Sequence, residues 1–370
     1  MAGNANLCAA KAAKNDEFYT QWNDIENEMN AYLDYNQDAF RGKTVLLPCD
    51  DPEWSNFTKY FALNFESLGI EKLISTSYAP AKSQENGRIF VLERDVTCDG
   101  KINIHNIEWD YLNGDGDFRS EEVTALRDEA DMVITNPPFS LFREFVSWLV
   151  EGGVEFSVIG NMNAIAYKEI FPLIKGNEMW LGASRMGAKY FALPSNAPVK
   201  ANQHEENGVR FQKFGNIAWF TNIEHGRRHG FLELMTMEDN IRYCRRKVVR
   251  ERGYSKYDNY DAIEVSFTEA IPSDCDGVMG VPISFLDKYS PEQFEILGIS
   301  EASGKGGSGD LWDRTSGVKH PLIAGDRTYT RIFIRHRNPE RKESRPLSRS
   351  WGGQSSLRCK RGFSHVEVRG

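Results

Sequence analysis

One short segment limits what this chain can fold into more than any other. Residues 131–135 (Asp-Met-Val-Ile-Thr) are a compact apolar run that predicts a buried strand, and they lead directly into residues 136–139 (Asn-Pro-Pro-Phe). Two successive prolines cannot continue the hydrogen-bonded ladder of a central strand, and they hold the preceding residues extended. Ser140 is then a suitable N-cap for a helix with an apolar stripe. The segment therefore predicts a strand, a rigid polar turn and a helix in immediate succession.

The same alternation of strands and helices extends to both sides of this segment. Residues 57–68 predict a helix with aromatic and leucine side chains on one face, and it lies between two short apolar runs. Strands separated by helices indicate a doubly wound α/β sheet with parallel strands. Residues 79–112 interrupt the rhythm, and within them residues 88–92 and 101–107 predict two extra strands. The predicted strands of the main alternation are residues 43–47, 72–75, 131–135 and 154–160.

The tetrapeptide Asn136, Pro137, Pro138 and Phe139 carries groups that suit methyl transfer to an aromatic amine. The exocyclic amine of adenine is a poor nucleophile because its lone pair is delocalised, so it needs acceptors that hold its two hydrogens. The side-chain oxygen of Asn136 is one acceptor, and a backbone carbonyl of the turn is another. Phe139 offers a face on which an adenine turned out of a duplex can stack. The alternative is a proline turn that ends a strand beside a packed phenylalanine.

The composition excludes several classes of protein. Hydrophobic residues make up 40% of the chain, which is enough for a packed core, and no apolar run is long enough to span a membrane. The first residues lack the apolar core of a secretion signal, so we expect a cytoplasmic protein. The six cysteines are scattered without a Cys-x-x-Cys pair, and neither a disulfide framework nor a metal site is predicted.

Basic residues are concentrated in one part of a chain whose formal net charge is −8. The total charge argues against a protein that coats nucleic acid, but it does not decide where the charges lie. A basic region beside an acidic catalytic part is compatible with DNA binding, although a run of charge is more often only a solvated face. The candidate phosphate contacts are Arg227, Arg228, Arg245, Arg246 and Lys247.

Several segments together resemble the EcoRI-type adenine-specific DNA methyltransferases, over most of residues 15–335. The segments that carry the resemblance are residues 16–21 (Asp-Glu-Phe-Tyr-Thr-Gln), 49–52 (Cys-Asp-Asp-Pro), 116–120 (Gly-Asp-Phe-Arg-Ser), 135–140 (Thr-Asn-Pro-Pro-Phe-Ser), 219–222 (Trp-Phe-Thr-Asn) and 280–282 (Gly-Val-Pro). The resemblance implies a Rossmann-like class I methyltransferase with an added DNA-recognition region. It also implies transfer of a methyl group from S-adenosyl-L-methionine to N6 of a flipped adenine at specific sites in double-stranded DNA. A cognate restriction endonuclease is a further partner to look for.

The resemblance also assigns cofactor-binding roles near the N-terminus. Phe18, Tyr19 and Thr20 are similar to the Phe-Tyr-Thr-Pro motif, which holds the methionine end of the cofactor in adenine methyltransferases. Without the resemblance, Phe18 and Tyr19 are equally explained as a hydrophobic staple before the first helix. Because the sulfonium of the cofactor already activates its methyl group, this chemistry needs no metal ion.

Three further residues are assigned to the cofactor. Asp50 follows the first strand, where many methyltransferases have a glycine-rich turn, and its carboxylate can pair with the amino group of the cofactor. This chain has no Gly-x-Gly there, and the neighbouring Asp51 can equally cap the next helix. Asp117 and Phe118 resemble the pair that hydrogen-bonds to and packs on the adenine of the cofactor; the alternative is a turn aspartate beside a core phenylalanine. No acidic residue follows the second strand, so the ribose contact stays unassigned.

These features predict a division of the chain into successive parts. The parts are an N-terminal tail (1–14), a catalytic methyltransferase core (15–175), a target-recognition region (176–270), a C-terminal part that packs on the core (271–335) and a basic, loosely ordered tail (336–370).

Other functions remain open at this point. Related chemistry on another planar amine would act on protein glutamine, RNA guanine or cytosine N4, and Asn136 with Phe139 favours adenine over these. A DNA-binding protein could keep the fold without catalysis, and such a protein would not bind S-adenosylmethionine. A hydride-transferring Rossmann enzyme is less favoured because the chain has no Gly-x-Gly-x-x-Gly.

Overall fold

Strands and helices alternate through the first half of the computed structural model. It describes residues 20–79, 85–94, 108–184, 187–193, 203–300 and 307–340. The predicted strand at residues 101–107, the N-terminal tail and most of the C-terminal tail therefore lie outside the described residues. The helices are α1 (Trp22–Tyr35), α2 (Asn56–Leu63), α3 (Phe65–Leu68), α4 (Glu121–Glu129), α5 (Phe142–Gly152), α6 (Phe171–Lys175), α7 (Met237–Tyr243) and α8 (Lys247–Arg252). None of these helices has the length and apolar character that a membrane span requires.

The strands of the described residues form one large sheet and two smaller ones. Those of the large sheet are β1 (Thr44–Leu47), β2 (Lys72–Thr76), β3 (Arg88–Glu93), β4 (Asp110–Tyr111), β5 (Met132–Thr135), β6 (Glu155–Asn161), β7 (Trp180–Leu181), β8 (Gly187–Ala192), β9 (Gln203–Glu206) and β10 (Val209–Thr221). The others are β11 (Ile263–Glu264), β12 (Met279–Pro282), β13 (Phe294–Ile299), β14 (Leu322–Ile323), β15 (Asp326–Arg327) and β16 (Arg331–His336).

The centre of the large sheet is parallel, as the sequence predicts. The strand order is β4-β3-β2-β1-β5-β6-β10-β7, and β1 is hydrogen-bonded in parallel to both β2 and β5. β5 pairs in parallel with β6, while β3 and β10 are antiparallel to their neighbours. All parallel strands therefore end at one edge of the sheet, which we call the carboxyl edge.

Two hydrophobic cores cover the two faces of this sheet, which makes it doubly wound. Side chains alternate between the cores along each strand: Val45 and Leu47 point into one, and Leu46 points into the other. The first core contains side chains of α1 and α2, and the second contains side chains of α4 and α5. Because both faces are buried, the central strands carry apolar side chains on both faces, which explains why they were recognisable in the sequence as short apolar runs.

The large sheet extends further along the chain than the sequence indicates. β10 pairs with β6, and β7 pairs with β10, so the sheet continues to Thr221, beyond the boundary predicted at residue 175. Trp219 and Phe220 lie in β10 and are buried. They belong to the two cores that cover the large sheet, as an aromatic pair in a strand most often does.

The start of α5 differs from the prediction. Ser140 does not cap the helix; it lies inside a short 3₁₀ turn, Phe139–Leu141, and α5 begins at Phe142 without a side-chain cap. The turn follows Pro138, whose backbone has a φ of −57° and a ψ of 119°. The tetrapeptide thus passes through one tight turn before the helix starts, and this turn sets the direction of Phe139.

The C-terminal part forms a four-stranded sheet in the order β11-β12-β16-β13. Its apolar side chains share one cluster with side chains that pack on the large sheet; for example, Val281 and Phe294 join the cluster that contains Ile165 and Phe171. A buried ion pair between Arg331 and Glu264, 2.7 Å apart, links two of its strands. The two sheets are therefore packed through a continuous apolar core.

Candidate active site

The tetrapeptide lies at the carboxyl edge of the large sheet. β5 is fully buried up to Thr135, and Asn136 is the first residue beyond it, between the ends of β1 and β6. Asn136 is half-buried and its Oδ1 atom is buried, while Pro137 is buried. Open α/β sheets bind their ligands at this edge, so the loop has the position that the sequence predicts for a catalytic site.

The ring of Phe139 is held by two other aromatic rings. Phe191 of β8 and Phe214 of β10 contact it edge-on, with centroid distances of 6.5 and 6.3 Å and interplanar angles of 87° and 89°. Edge-to-face geometry is favourable for aromatic rings and fixes their relative orientation. Phe139 is itself only partly buried, so part of its surface stays accessible.

Asp50 lies directly beside the tetrapeptide, at the end of β1. One carboxyl oxygen accepts a hydrogen bond from Ser55 Oγ at 2.6 Å, and the other accepts one from Thr135 Oγ1 at 2.5 Å. Burial raises the pKa of Asp50 from 3.8 to about 7, against the opposing effect of these two hydrogen bonds. Thr135, the residue before Asn136, therefore donates a hydrogen bond to a carboxyl group whose pKa lies near neutral pH.

Sequence reasoning did not identify the partners of Asp50. Ser55 is the N-cap of α2, where its hydroxyl accepts a hydrogen bond from the Phe57 backbone N–H. A serine followed by an apolar helical stripe is a recognisable capping signal, so Ser55 could have been found. Thr135 gave no such signal, because its contact depends on the register of β1 against β5.

The residues assigned to the methionine end of the cofactor are only partly described. Phe18 and Tyr19 lie outside the described residues, whereas Thr20 is buried and its carbonyl accepts a hydrogen bond from Asn56 Nδ2 at 2.7 Å. The Thr20 Oγ1 atom is buried without a hydrogen-bond partner. An unsatisfied buried hydroxyl costs roughly 1–3 kcal/mol, so such an atom calls for a ligand. Asn56 follows Ser55 directly, which brings Thr20 close to Asp50.

The loop that carries Asp117 and Phe118 packs against the end of β2. The Ala79 backbone N–H donates a hydrogen bond to the Asp115 carbonyl at 2.7 Å, and a Cβ on Gly116 would overlap the carbonyl oxygen of Ser77. Asp117 is partly exposed and forms a two-pronged ion pair with Arg119. Only glycine can occupy position 116, because its φ of +77° is also in the left-handed region.

Phe118 has a different position from its neighbour. It is buried, and its ring contacts Phe145 and Trp148 of α5 at 4.9 and 5.6 Å in T-shaped geometry. In the structure Phe118 is therefore a core side chain. Asp117 is the member of the pair that is accessible to solvent.

The predicted phosphate contacts fall into two groups. Arg228 is buried, stacks on the Trp180 ring at 3.6 Å and pairs with Glu224 at 3.3 Å, which argues against its contacting DNA. Arg227 is also largely engaged, since it donates hydrogen bonds to the Ala183 carbonyl and to Asp287. A charge cluster in the sequence cannot reveal such pairing, because the partners come from distant elements.

The second group is exposed. Three of the predicted contacts lie on the surface near two short helices. Arg245 and Arg246 lie between α7 and α8, and Lys247 is the first residue of α8. Arg246 pairs with Glu269 and Lys247 pairs with Glu251. Within the described residues, no three metal-ligating side chains are grouped around a common point.

The fold and this site together define a Rossmann-like methyltransferase. A doubly wound sheet carries Asn-Pro-Pro-Phe at its carboxyl edge, with a carboxyl group at the end of the neighbouring strand. The family model described as adenine-specific methyltransferase EcoRI matches residues 6–337, and the chain belongs to this family. This confirms the resemblance, the fold class and the adenine specificity that the sequence predicts, and it implies a methyl donor.

Comparison with individual proteins agrees with this assignment. The chain is 43% identical over 310 residues to type II methyltransferase M.EcoRI of Escherichia coli, which covers 80% of this chain and 90% of the relative. It is 37% identical over 292 residues to type II methyltransferase M.MpnI of Mycoplasma pneumoniae, which covers 78% and 83%. A type II methyltransferase of Mycoplasma genitalium, M.MgeORF184P, is 36% identical over 292 residues, which covers 78% and 84%. No solved structure matches the chain.

Proposed function

We propose that this protein transfers a methyl group from S-adenosyl-L-methionine to N6 of an adenine that is flipped out of double-stranded DNA at specific sites. The observation that carries the proposal is the position of Asn136–Phe139 beside Asp50 at the carboxyl edge, in a chain of the adenine-specific family. The relatives named type II methyltransferases support DNA as the substrate and a restriction endonuclease as a companion. Such an enzyme works in the cytoplasm, where the DNA of a bacterium lies.

The turn acts on the amino group of the target. Asn136 Oδ1 and the backbone carbonyl of Pro137 each accept one N6 hydrogen, which localises the nitrogen lone pair on the side facing the methyl donor. Pro137 and Pro138 bring no N–H groups that would compete for these acceptors. When bound, the cofactor supplies a methyl group activated by its sulfonium. Methyl transfer to N6 would leave the nitrogen with one proton too many, and that proton would pass to solvent from the hydrogens held by Asn136 Oδ1 and the Pro137 carbonyl.

Phe139 holds the adenine in place. Its exposed surface stacks on the flipped base, and the edge-on contacts from Phe191 and Phe214 keep the ring from rotating away. A rigid stacking partner lowers the ordering cost of binding a base in one orientation.

The cofactor would be held by residues at the ends of β1 and β2 and by the segment before α1. Two features fit it: the buried hydroxyl of Thr20 that has no partner, and the carboxyl of Asp50, whose pKa of about 7 a bound ammonium would lower. Asp117 would receive hydrogen bonds from the adenine of the cofactor. Phe18, Tyr19 and Phe118 would complete the site, with Phe118 acting from the core through the loop that it anchors.

Exposed basic side chains would contact DNA phosphates. Arg245, Arg246 and Lys247 are the accessible members of the predicted set. Arg227 would contribute only by exchanging its present ion pair with Asp287 for a phosphate.

The decisive experiment identifies the methylated nucleoside. The protein is incubated with unmethylated plasmid DNA and methyl-labelled S-adenosylmethionine, and the DNA is digested and separated into nucleosides. We expect label in N6-methyl-2′-deoxyadenosine, and less than about a tenth of that label with Asn136→Ala. Label in cytosine, in added RNA or in protein glutamine, or no label in DNA, would refute the proposal.

A further inference from the structure

β10 changes its partners half-way along its thirteen residues. Residues 217–221 pair with β6 and β7, and residues 209–214 pair with β8 and β9; β8 also reaches Ile217 through Gly187. The register breaks between Phe214 and Ile217, and Asn216 there has a φ of +58°. Irregularities of this kind bend a strand and occur often beside active sites. The two halves of β10 therefore belong to differently oriented parts of the sheet.

The first half of β10 projects beyond the carboxyl edge. β10 runs antiparallel to β6, and Ile217 is paired with Asn161, the last residue of β6. Residues before 217 consequently lie past the end of β6, on the side of the sheet where Asn136 is found. We call β8, β9 and residues 209–214 of β10 the overhang.

One face of the overhang is turned towards the catalytic turn. Phe191 and Phe214 lie on this inner face, where both contact Phe139 and each other. Since successive side chains of a strand point to opposite faces, the neighbouring residues Tyr190 and Lys213 lie on the outer face. The register agrees, because Lys213 is paired with Tyr190 across the two strands.

The outer face carries a cluster of aromatic and basic side chains. Lys213 Nζ lies 5.5 Å from the centroid of the Tyr190 ring, and the His204 ring is 5.1 Å from Tyr190 and 5.3 Å from Phe211. Tyr190 is 43% exposed, His204 and Lys213 are exposed, and Phe211 is partly exposed. Exposing aromatic rings to water is unfavourable. A linked cluster of them on one face is therefore typical of a binding surface.

We propose that the outer face of the overhang binds the DNA duplex beside the flipped adenine. The proposal rests on the proposed function. Two arguments identify DNA as the partner of this face. A flipped base that stacks on Phe139 would bring the adjoining duplex next to the overhang. A lysine surrounded by aromatic rings can pair with a phosphate while the rings pack on the neighbouring sugar and bases. Lys213 would neutralise a phosphate, and Tyr190 and His204 would pack on the neighbouring sugar or exposed base edges. Glu206 is the carboxylate on this face, at the tip of the β9–β10 hairpin.

The test compares two matched double variants. Tyr190→Ser with Lys213→Gln removes one ring and one charge from the outer face. Arg327→Gln with Tyr329→Ser removes the same groups from another exposed site, where Tyr329 is 84% exposed. We expect the first to bind a fluorescein-labelled duplex of mixed sequence roughly tenfold more weakly, with a log–log salt slope smaller by about 0.9, and the second to bind like the unaltered protein. Glu206→Gln should strengthen binding.

Activity assays separate this proposal from the proposed function. The outer-face variant should keep its affinity for S-adenosylmethionine and, at saturating DNA, a kcat within about twofold of the unaltered protein. DNA binding unchanged by Tyr190→Ser/Lys213→Gln, or weakened equally by the control, would overturn the inference. So would sedimentation showing that the variant loses only self-association, which would make the face a contact between copies. Absence of methylation by the unaltered protein would instead refute the proposed function and leave the binding comparison valid.

Discussion

Asp50 makes the stability of the protein depend on pH in a direction that can be calculated. Burial raises its pKa to about 7 in the folded state, while an unfolded chain has the ordinary value near 3.8. Between these values the folded protein binds a proton that the unfolded chain does not, so the free energy of unfolding falls as pH rises from about 4 to about 7. The full difference of about 3 pKa units corresponds to about 4 kcal/mol, of which about 2.5 kcal/mol falls between about pH 5 and about pH 8.

The variant Asp50→Asn isolates this contribution. An amide is uncharged at every pH, and it can still bond to the hydroxyls of Ser55 and Thr135, which act as donor or acceptor. We expect the stability advantage of the unaltered protein over the variant to shrink by about 2.5 kcal/mol between about pH 5 and about pH 8, because only the unaltered protein must bury a charge at the higher pH.

Urea unfolding of both proteins, followed by circular dichroism at several pH values, measures this difference. All other titrating groups are common to the two proteins, so their effects cancel in the comparison. A difference that stays constant over this range would show that the pKa of Asp50 lies at or below its ordinary value, and would refute the reasoning. A stability advantage that grows as pH rises towards about pH 4, measured in acid, would show that the hydrogen bonds lower the pKa of Asp50 more than burial raises it.

Three further substitutions test the catalytic turn, the buried arginine and the cofactor loop. Asn136→Ala should lower kcat more than tenfold, about 1.4 kcal/mol of transition-state stabilisation, while calorimetry shows cofactor affinity within a few-fold; greater residual activity contradicts the role of Asn136. Arg228→Ala should lower the free energy of unfolding by about 3 kcal/mol, through lost packing on Trp180, and leave the salt dependence of DNA binding unchanged. Gly116→Ala should cost about 2 kcal/mol or more in thermal unfolding and weaken cofactor binding, whereas Gly114→Ala, with only ordinary contacts, should do neither.

The central fold and the position of the Asn136–Phe139 turn at the carboxyl edge were predictable from sequence because their signals are local. Strands buried on both faces are short apolar runs, and two prolines after such a run leave few conformations for Asn136. The start of α5 was predicted wrongly, because Ser140 is a good cap by residue type but the 3₁₀ turn places it within the turn. Here the backbone path imposed by Pro138 overrides the capping preference.

The features that could not be predicted depend on contacts between distant parts of the chain. The sequence indicates that Arg228 is a surface charge, whereas in the structure its guanidinium stacks on the Trp180 ring. The membership of β10 in the large sheet is hidden because only its second half is buried, whereas its first half is largely exposed. The roles of the cofactor residues stay predictions, since Phe18 and Tyr19 lie outside the described residues.

The double membership of β10 has a consequence for how new sequence preferences can arise. A recognition segment that is joined to an enzyme by linkers can be exchanged between relatives as a cassette. Here the same strand that lines the overhang also carries Trp219 and Phe220 of the apolar interior, so an exchange would have to cut a hydrogen-bonded strand at Asn216. Hybrids between relatives that exchange the overhang should therefore fold only when the whole of β6 to β10 is transplanted together.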